Sequence, residues 1–470
     1  MKKISLIVVF TVGLIFRLYR ITSPVADWHS HRQADTASVT RHLSQNISSF
    51  FTPLYHDLGD VQSGQENPQG YRMVELPLYN LFSLLVAKIS FQSIEIGSRL
   101  TSILFSLGSG YLIFLITQRL TNLFWPSLLS LATFLFLPFS IYYSRSILPE
   151  NTAVFFMLLC LYFFPKDLIV SGISLSLSLL TKPFTGFVIL PVLFYLTVSH
   201  RPALFKLLVF SLISLGPFFL WRQHISQFPE GIPASAWLFN NNPNRIFPEW
   251  FRGYSLAPLN RLVAFRPSWF NWLFNVRLHQ LILGTFGLVP FTLGFVYRHR
   301  QTRPFNFFLF LGTLAYFIIV AQGNIQHDYY QILVIPQISI SLGLWLYFLS
   351  KQSTTIALTS AFFSLLLGWL QIKNYYHINN PNIVAAGQQA NKIIPQDAIV
   401  IAPYNGDTTF LYQTNRSGYP VEIYDLAKIK SLHPSRPLYL VSVDLNDYTN
   451  KLVKTATVIF QNQQFLIAKL

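Results

Sequence analysis

Long apolar runs separated by short basic loops constrain this chain more than any other feature. Such runs fall at about 4–19, 97–118, 123–142, 150–165, 167–181, 184–199, 204–221, 278–297, 305–321, 330–349 and 355–372. Most are long enough to cross a hydrocarbon core about 30 Å thick as a helix, and several are short for it. Backbone polar groups in lipid must bond within their own segment, so the chain is expected to be a helical bundle of roughly eleven spans. Composition agrees. Only 11% of residues are charged and 52% are hydrophobic, whereas soluble domains carry about 25% charged residues. So little charge cannot cover a globular surface, and lipid must face much of it.

Charge sets the expected orientation. The first run follows Met1-Lys2-Lys3 and precedes Arg20-Ile21-Thr22, with no small-residue cleavage site, which reads as a retained signal anchor. With the amino terminus inside, the inner loops hold Arg119, Lys166, Arg201, Lys206, Arg298, Arg300, Arg303 and Lys351, while the short outer loops hold Arg145 and Lys182. That asymmetry follows the positive-inside rule. Two long loops, about 20–96 and 222–277, then lie outside, together with everything after 372. The net charge of +16 is scattered among loops rather than gathered in a basic arm. It therefore points to lipid head groups and lipid phosphates, not nucleic acid. The single cysteine, Cys160, sits in an apolar run as a small buried hydrophobe, which excludes a disulfide framework or a thiolate metal site.

From about Asn374 the character changes. Polar sequence alternates with short apolar runs at 398–401, 437–441 and 457–460, the pattern of strands between turns or helices. The expected organisation is thus mainly α: a transmembrane module over 1–373 and a small extracytoplasmic α/β domain over 374–470.

Chemistry concentrates in the first outer loop. Asp27-Trp28-His29-Ser30-His31-Arg32-Gln33-Ala34-Asp35-Thr36 gathers two carboxylates, two imidazoles and a guanidinium just beyond a span. After Arg32 a helix is expected from Gln33 to Asn46, with Asp35, Val39 and Leu43 on one face at i, i+4, i+8. Asp35 then heads an apolar stripe, where a carboxylate needs a partner or a task. The alternative is a loop acid paired to Arg32. Further on, Pro77 suits a helix's first turn, so Glu75 should stand at the amino end of an amphipathic helix running to about Ser90 along the membrane surface. Glu75 could bind a divalent cation or a hydroxyl, or serve only as a helix-terminal charge.

Other charged or polar groups recur at outer helix ends: Arg99, Arg145 with Glu150, Lys182, and the stretch His327-Asp328-Tyr329-Tyr330-Gln331 that opens a later span. Ionisable groups near lipid default to a functional reading, although a lone Arg or Lys there also snorkels. A cationic floor at one face is what a lipid-linked phosphate requires. Trp28, Tyr79, Tyr329 and Tyr330 could stack on a sugar, or serve as interfacial aromatics. His29 and His31 are loop or acceptor-site candidates. They are weak evidence for zinc, though a loosely held divalent ion near Glu75 or Asp35 is compatible with the pattern. There is no P-loop, no GxGxxG after a strand and no GxSxG.

With these residues in view, the chain resembles the GT-C superfamily of membrane glycosyltransferases. It looks most like the bacterial dolichyl-phosphate-mannose-protein mannosyltransferase-like and aminoarabinose transferase-like proteins. The matching stretches are Asp27 to Thr36, Val74 to Tyr79, Ser144 to Glu150, Leu180 to Pro183 and His327 to Gln331. The resemblance implies a polyprenyl-phosphate sugar donor and an active site on the outer face. It implies Asp27 or Asp35 as base, and Glu75 or Glu150 beside the sugar's developing positive charge. Arg32, Arg72, Arg99, Arg145 and Lys182 would meet the phosphate, with His327 and Tyr330 in the donor site. Many relatives carry an adjacent Asp-Glu pair in this loop, where this chain has Arg32-Gln33 and two separated acids. The rivals are a polysaccharide ligase or polymerase, which shares such donors, and a lipid-linked sugar transporter. A transporter would often show repeated halves and mid-span charges, and neither is visible here.

Overall fold

A computed structural model describes residues 2–233, 267–296 and 302–470. Arg298, Arg300 and most of the expected loop 222–277 lie outside the described residues. The chain forms two compact units. One comprises Met1–Ile21, Arg99–Trp221 and Trp237–Tyr375; the other comprises Thr22–Ser98, Arg222–Ala236 and Tyr376–Leu470.

The first unit is helical. Among the described residues five helices are long and apolar enough to span a membrane: Ile94–Thr121, Leu204–Ile225, Thr302–Ile319, Asp328–Gln352 and Thr354–Tyr376. A sixth candidate, Phe124–Phe136 with Pro138–Arg145, bends by 61°, because Pro138 has no N–H to continue the ladder. Shorter apolar helices cover Glu150–Phe163, Leu168–Thr181 and Thr185–His200. The described part of each expected run is largely helical, but 123–142 bends at Pro138 and 278–296 is broken. A π-helix over Asn271–Ile282 ends before Gly284, and a new helix runs over Leu288–Val296. Gly284 sits at φ +62°, and a Cβ there would lie 2.2 Å from the Ser364 carbonyl oxygen. Only glycine permits both the turn and the approach. Leu204, Phe205, Leu208, Leu212, Phe219 and Leu220 face outward along one helix, a surface that is stable only against lipid.

The second unit carries a five-stranded sheet: β1 (Ile399–Ile401), β2 (Ser417–Tyr419), β3 (Leu438–Ser442), β4 (Thr457–Gln461) and β5 (Leu466–Lys469). The order is β2-β1-β3-β5-β4; β1 pairs parallel with β2 and β3, and β5 runs antiparallel to β3 and β4. Alternate residues feed two cores. Val400 and Val441 pack with Ile383, Ala386 and Phe410, while Ile399, Ile401 and Leu440 pack on the other face. The three expected strands are present. The runs at β2 and β5 carried no comparable signal, β2 being only Ser-Gly-Tyr.

The long loop after the first helix joins this sheet. The Gly418 N–H donates to the His56 carbonyl and the Leu58 N–H to that of Gly418, both at 2.8 Å, and Leu58 enters the second core. The expected loop helix runs over Ser30–Gln45 and packs on the Thr408–Thr414 helix. Arg41 fixes that contact: it pairs with Glu95 at 2.7 Å and lies 3.6 Å over the Tyr412 ring. Tyr412 also donates to Glu95 at 2.6 Å. A second loop helix, Leu78–Ser90, buries Asn80, Ser83, Leu84 and Ala87. It turns Leu81, Leu85, Ile89 and Phe91 outward. Its outward side is thus largely apolar.

Candidate functional site

In the second unit the polar cluster grows from the Ser30–Gln45 helix. His29 precedes it in the left-handed region, φ +53°, an uncommon backbone for a non-glycine residue and one that gathers at functional loops. On the next turn Asp35 is 3% exposed. Arg72 Nη2 stands 2.8 Å from its Oδ2, and the Thr408 hydroxyl donates to its Oδ1 at 2.6 Å. The pairing of Asp35 with Arg32 considered above is not formed. Arg32 instead pairs with Glu75, which lies just before the Leu78–Ser90 helix. Asp27, also buried, accepts from Gln33 Nε2 at 2.8 Å. Gln33, one of the two residues standing where many relatives have acids, therefore orients one.

Arg72 is the most informative cation. It is 8% exposed and lies 5.2 Å from the Tyr55 ring centroid. Among the described residues its Nε and Nη1 have no hydrogen-bond partner, so donors remain beyond the bond to Asp35. Nearby, Asp57 accepts from the Gly59 N–H at 2.8 Å. Burial pushes its carboxyl up to about 7, the charge of Asp35 adds to the rise, and Arg72 opposes it. Burial also holds the His31 imidazole below its ordinary value, against the pull of Asp407 and Asp35. His29 and His31 stack edge to face at 5.8 Å, and Trp28 packs on His29.

A resident divalent ion does not fit these carboxylates. Asp35 and Glu75 each hold a guanidinium, which such an ion would have to displace. Among the described residues neither joins two further His, Cys, Asp or Glu ligands in one cluster.

The first unit also holds a polar cluster. Glu150, fully buried at the head of its helix, pairs with Lys182 at 2.7 Å. Lys182 Nζ also lies 4.9 Å from the Tyr330 ring and 5.4 Å from that of Phe184. His327 stacks on Tyr329 and Tyr330. Next to it Asp328, fully buried, accepts from the Tyr143 and Tyr375 hydroxyls and pairs with Arg277 at 3.2 Å. Arg99 and Arg145 differ from expectation in what they touch. Arg99 donates to the Ile21 carbonyl at 2.6 Å and Arg145 to that of Arg20 at 3.2 Å, so both tie down the end of the first helix. Tyr79 likewise uses its hydroxyl internally, on the Ser98 carbonyl at 2.8 Å.

Several residues escaped sequence reasoning. Thr408 lies 373 positions from Asp35, a distance no local pattern bridges. Asp57, Glu95 and Arg277 sit in stretches without a motif. Asp328 adjoins His327 inside a recognised stretch, and its anionic type beside tyrosines was the available signal.

Comparison with known proteins fits this geometry. A family profile described as dolichyl-phosphate-mannose-protein mannosyltransferase matches residues 75–221. ArnT from Cupriavidus metallidurans, solved bound to undecaprenyl phosphate, superposes with a TM-score of 0.64 over 98% of this chain and 97% of its own, at 12% identity. The fold is that of the GT-C membrane glycosyltransferases. A second GT-C structure, the Archaeoglobus fulgidus oligosaccharyltransferase with Zn and sulfate, gives 0.53 at 12% identity, covering 92% of this chain and 67% of its own. AglB from the same organism, in complex with an inhibitory peptide and a dolichol-phosphate, gives 0.52 at 13% identity over 94% and 69%. No curated protein matches the sequence. A GT-C fold accounts for a helical unit with lipid-facing apolar surfaces and a small sheet near the carboxyl terminus.

Proposed function

We propose that the chain transfers a sugar from a polyprenyl-phosphate donor to an acceptor hydroxyl at the extracytoplasmic face of the bacterial inner membrane. Its amino terminus lies inside and its sheet outside. The observation that carries the reading is the Asp35–Arg72 pair: a buried carboxylate beside a buried cation, two of whose nitrogens have no hydrogen-bond partner among the described residues. The likeness to structures holding undecaprenyl phosphate and dolichol-phosphate supports the donor class.

In the proposed reaction the acceptor oxygen bonds to the anomeric carbon as the bond from that carbon to the phosphate oxygen breaks. The phosphate leaves with the electron pair, and the acceptor proton passes to Asp35 or Asp27. Arg72 offsets charge on the leaving phosphate. Glu75 opposes the positive charge that grows on the ring. His29 and His31 stand on the acceptor side, and His327 and Tyr330 position Lys182. Arg32, Arg99 and Arg145 act indirectly, by fixing Glu75 and the end of the first helix.

Reconstituted proteoliposomes loaded with labelled polyprenyl-phosphate sugars test this against the transporter reading. Consumption of donor with release of polyprenyl phosphate is expected. Intact donor that merely changes leaflet would overturn it.

A further inference from the structure

The carboxyl end of the parallel strands carries a feature that this reaction does not use. β1 lies between β2 and β3, so the chain leaves β1 toward one side and later crosses back to the other. In open α/β sheets this divergence of loops leaves a crevice outside the strand ends, where small ligands bind. Here the crevice is a cavity of about 230 Å³. The loop after β1 contributes Tyr404 and Asn405, the loop after β2 contributes Glu422, and the loop after β3 contributes Ser442, Asp444 and Asn446.

The lining narrows the ligand. Two carboxylates line it and no Lys, Arg or His does, so phosphates and nucleotides are repelled. Carboxylates, amides and a hydroxyl in one cavity offer acceptors and donors side by side, the pattern that vicinal hydroxyls of a sugar ring satisfy. Tyr404, half-buried, adds an aromatic face. Several groups are already oriented. Glu422 Oε1 accepts from Asn446 Nδ2 at 2.9 Å, and its Oε2 accepts from the Tyr424 hydroxyl at 2.5 Å. The Asp444 carbonyl accepts from the Ser442 and Thr449 hydroxyls at 2.7 and 2.8 Å, which fixes the backbone of this exposed residue. Asn405 lies at φ +52°, a backbone that Asn tolerates in turns.

We propose that this cavity is a carbohydrate subsite that takes one hydroxyl-rich sugar ring, uncharged or amine-bearing. It is separate from the Asp35–Arg72 cluster and does not depend on the transferase reading.

Saturation-transfer NMR and equilibrium titration on the full-length protein in detergent test it. The probes are methyl glycosides of glucose, galactose, mannose and glucosamine, with inorganic phosphate and AMP as anions. Saturable binding of at least one glycoside is expected. Asp444→Asn and Glu422→Gln should each weaken it tenfold or more, and Asp35→Asn should leave it unchanged. Thermal unfolding checks each variant's fold, and Asp444→Asn, at an exposed position, decides if Glu422→Gln is unstable. Failure of every glycoside to bind, binding untouched by the cavity variants, or competition by phosphate or AMP would overturn the proposal.

Discussion

Asp35 and Glu150 are carboxylates with almost no contact to solvent, and each is held by one cation. Removing one member of a buried pair leaves the other uncompensated, at a cost of about 3–5 kcal/mol. Lys182→Met should therefore lower the unfolding temperature sharply. Adding Glu150→Gln to Lys182→Met should recover most of that loss, and a double-mutant cycle on thermal unfolding measures the recovery. A double variant no better than Lys182→Met would mean the lysine acts through its ring contacts rather than through Glu150. Asp57 titrates differently. Its folded-state value of about 7 lies above the usual 3.8, so its contribution to stability is full below about pH 4 and is lost as pH rises through 7. Compared with Asp57→Asn, the wild type should lose unfolding temperature between pH 4 and 7 and level off above. A difference between the two that is constant with pH would contradict burial as the cause.

At the scale of elements, β2 is where the first outer loop and the carboxyl-terminal sheet meet. A Cβ on Gly418 would lie 1.8 Å from the Val400 carbonyl oxygen, so Gly418→Val should separate β2 from β1 and release the 56–58 segment. Limited proteolysis should then cut near 56–58 and 415–420 in the variant, with the wild type resistant; equal resistance would contradict the pairing. The same junction shows what the sequence made legible. Periodicity located the Ser30–Gln45 and Leu78–Ser90 helices, because Asp35, Val39 and Leu43 repeat at helical spacing and Pro77 starts the second. It located β1, β3 and β4 through short apolar runs set in polar sequence. It missed β2, because three residues with a central glycine carry no alternation. It also missed the break at Gly284, which packing against Ser364 enforces. The ion pairs were less legible than the residues. Asp35, Glu75, Arg32 and Arg72 stood out by charge in an apolar chain. That Arg72 rather than Arg32 would hold Asp35 depends on how two loop helices pack, and Thr408 comes from the far end of the chain.

For the whole molecule, the expected topology puts Lys351 inside and the sheet outside. Cys160 is buried, so a Cys160→Ser background is a mild change and leaves no other thiol. On that background Lys454→Cys should react with a membrane-impermeant maleimide in spheroplasts, and Lys351→Cys only after permeabilisation. The reverse pattern would invert the topology and move the proposed chemistry to the cytoplasm. The most direct test of the central claim is sugar transfer by purified protein in proteoliposomes containing a labelled polyprenyl-phosphate donor and total envelope lipid and glycan as acceptor. Wild type is compared with Asp35→Asn and Asp27→Asn, each first shown to insert and to bind donor. A glycosyltransferase with its base in the first outer loop predicts that one substitution slows transfer about 10²- to 10⁴-fold while donor binding persists. Transfer that survives both substitutions at the wild-type rate would contradict it.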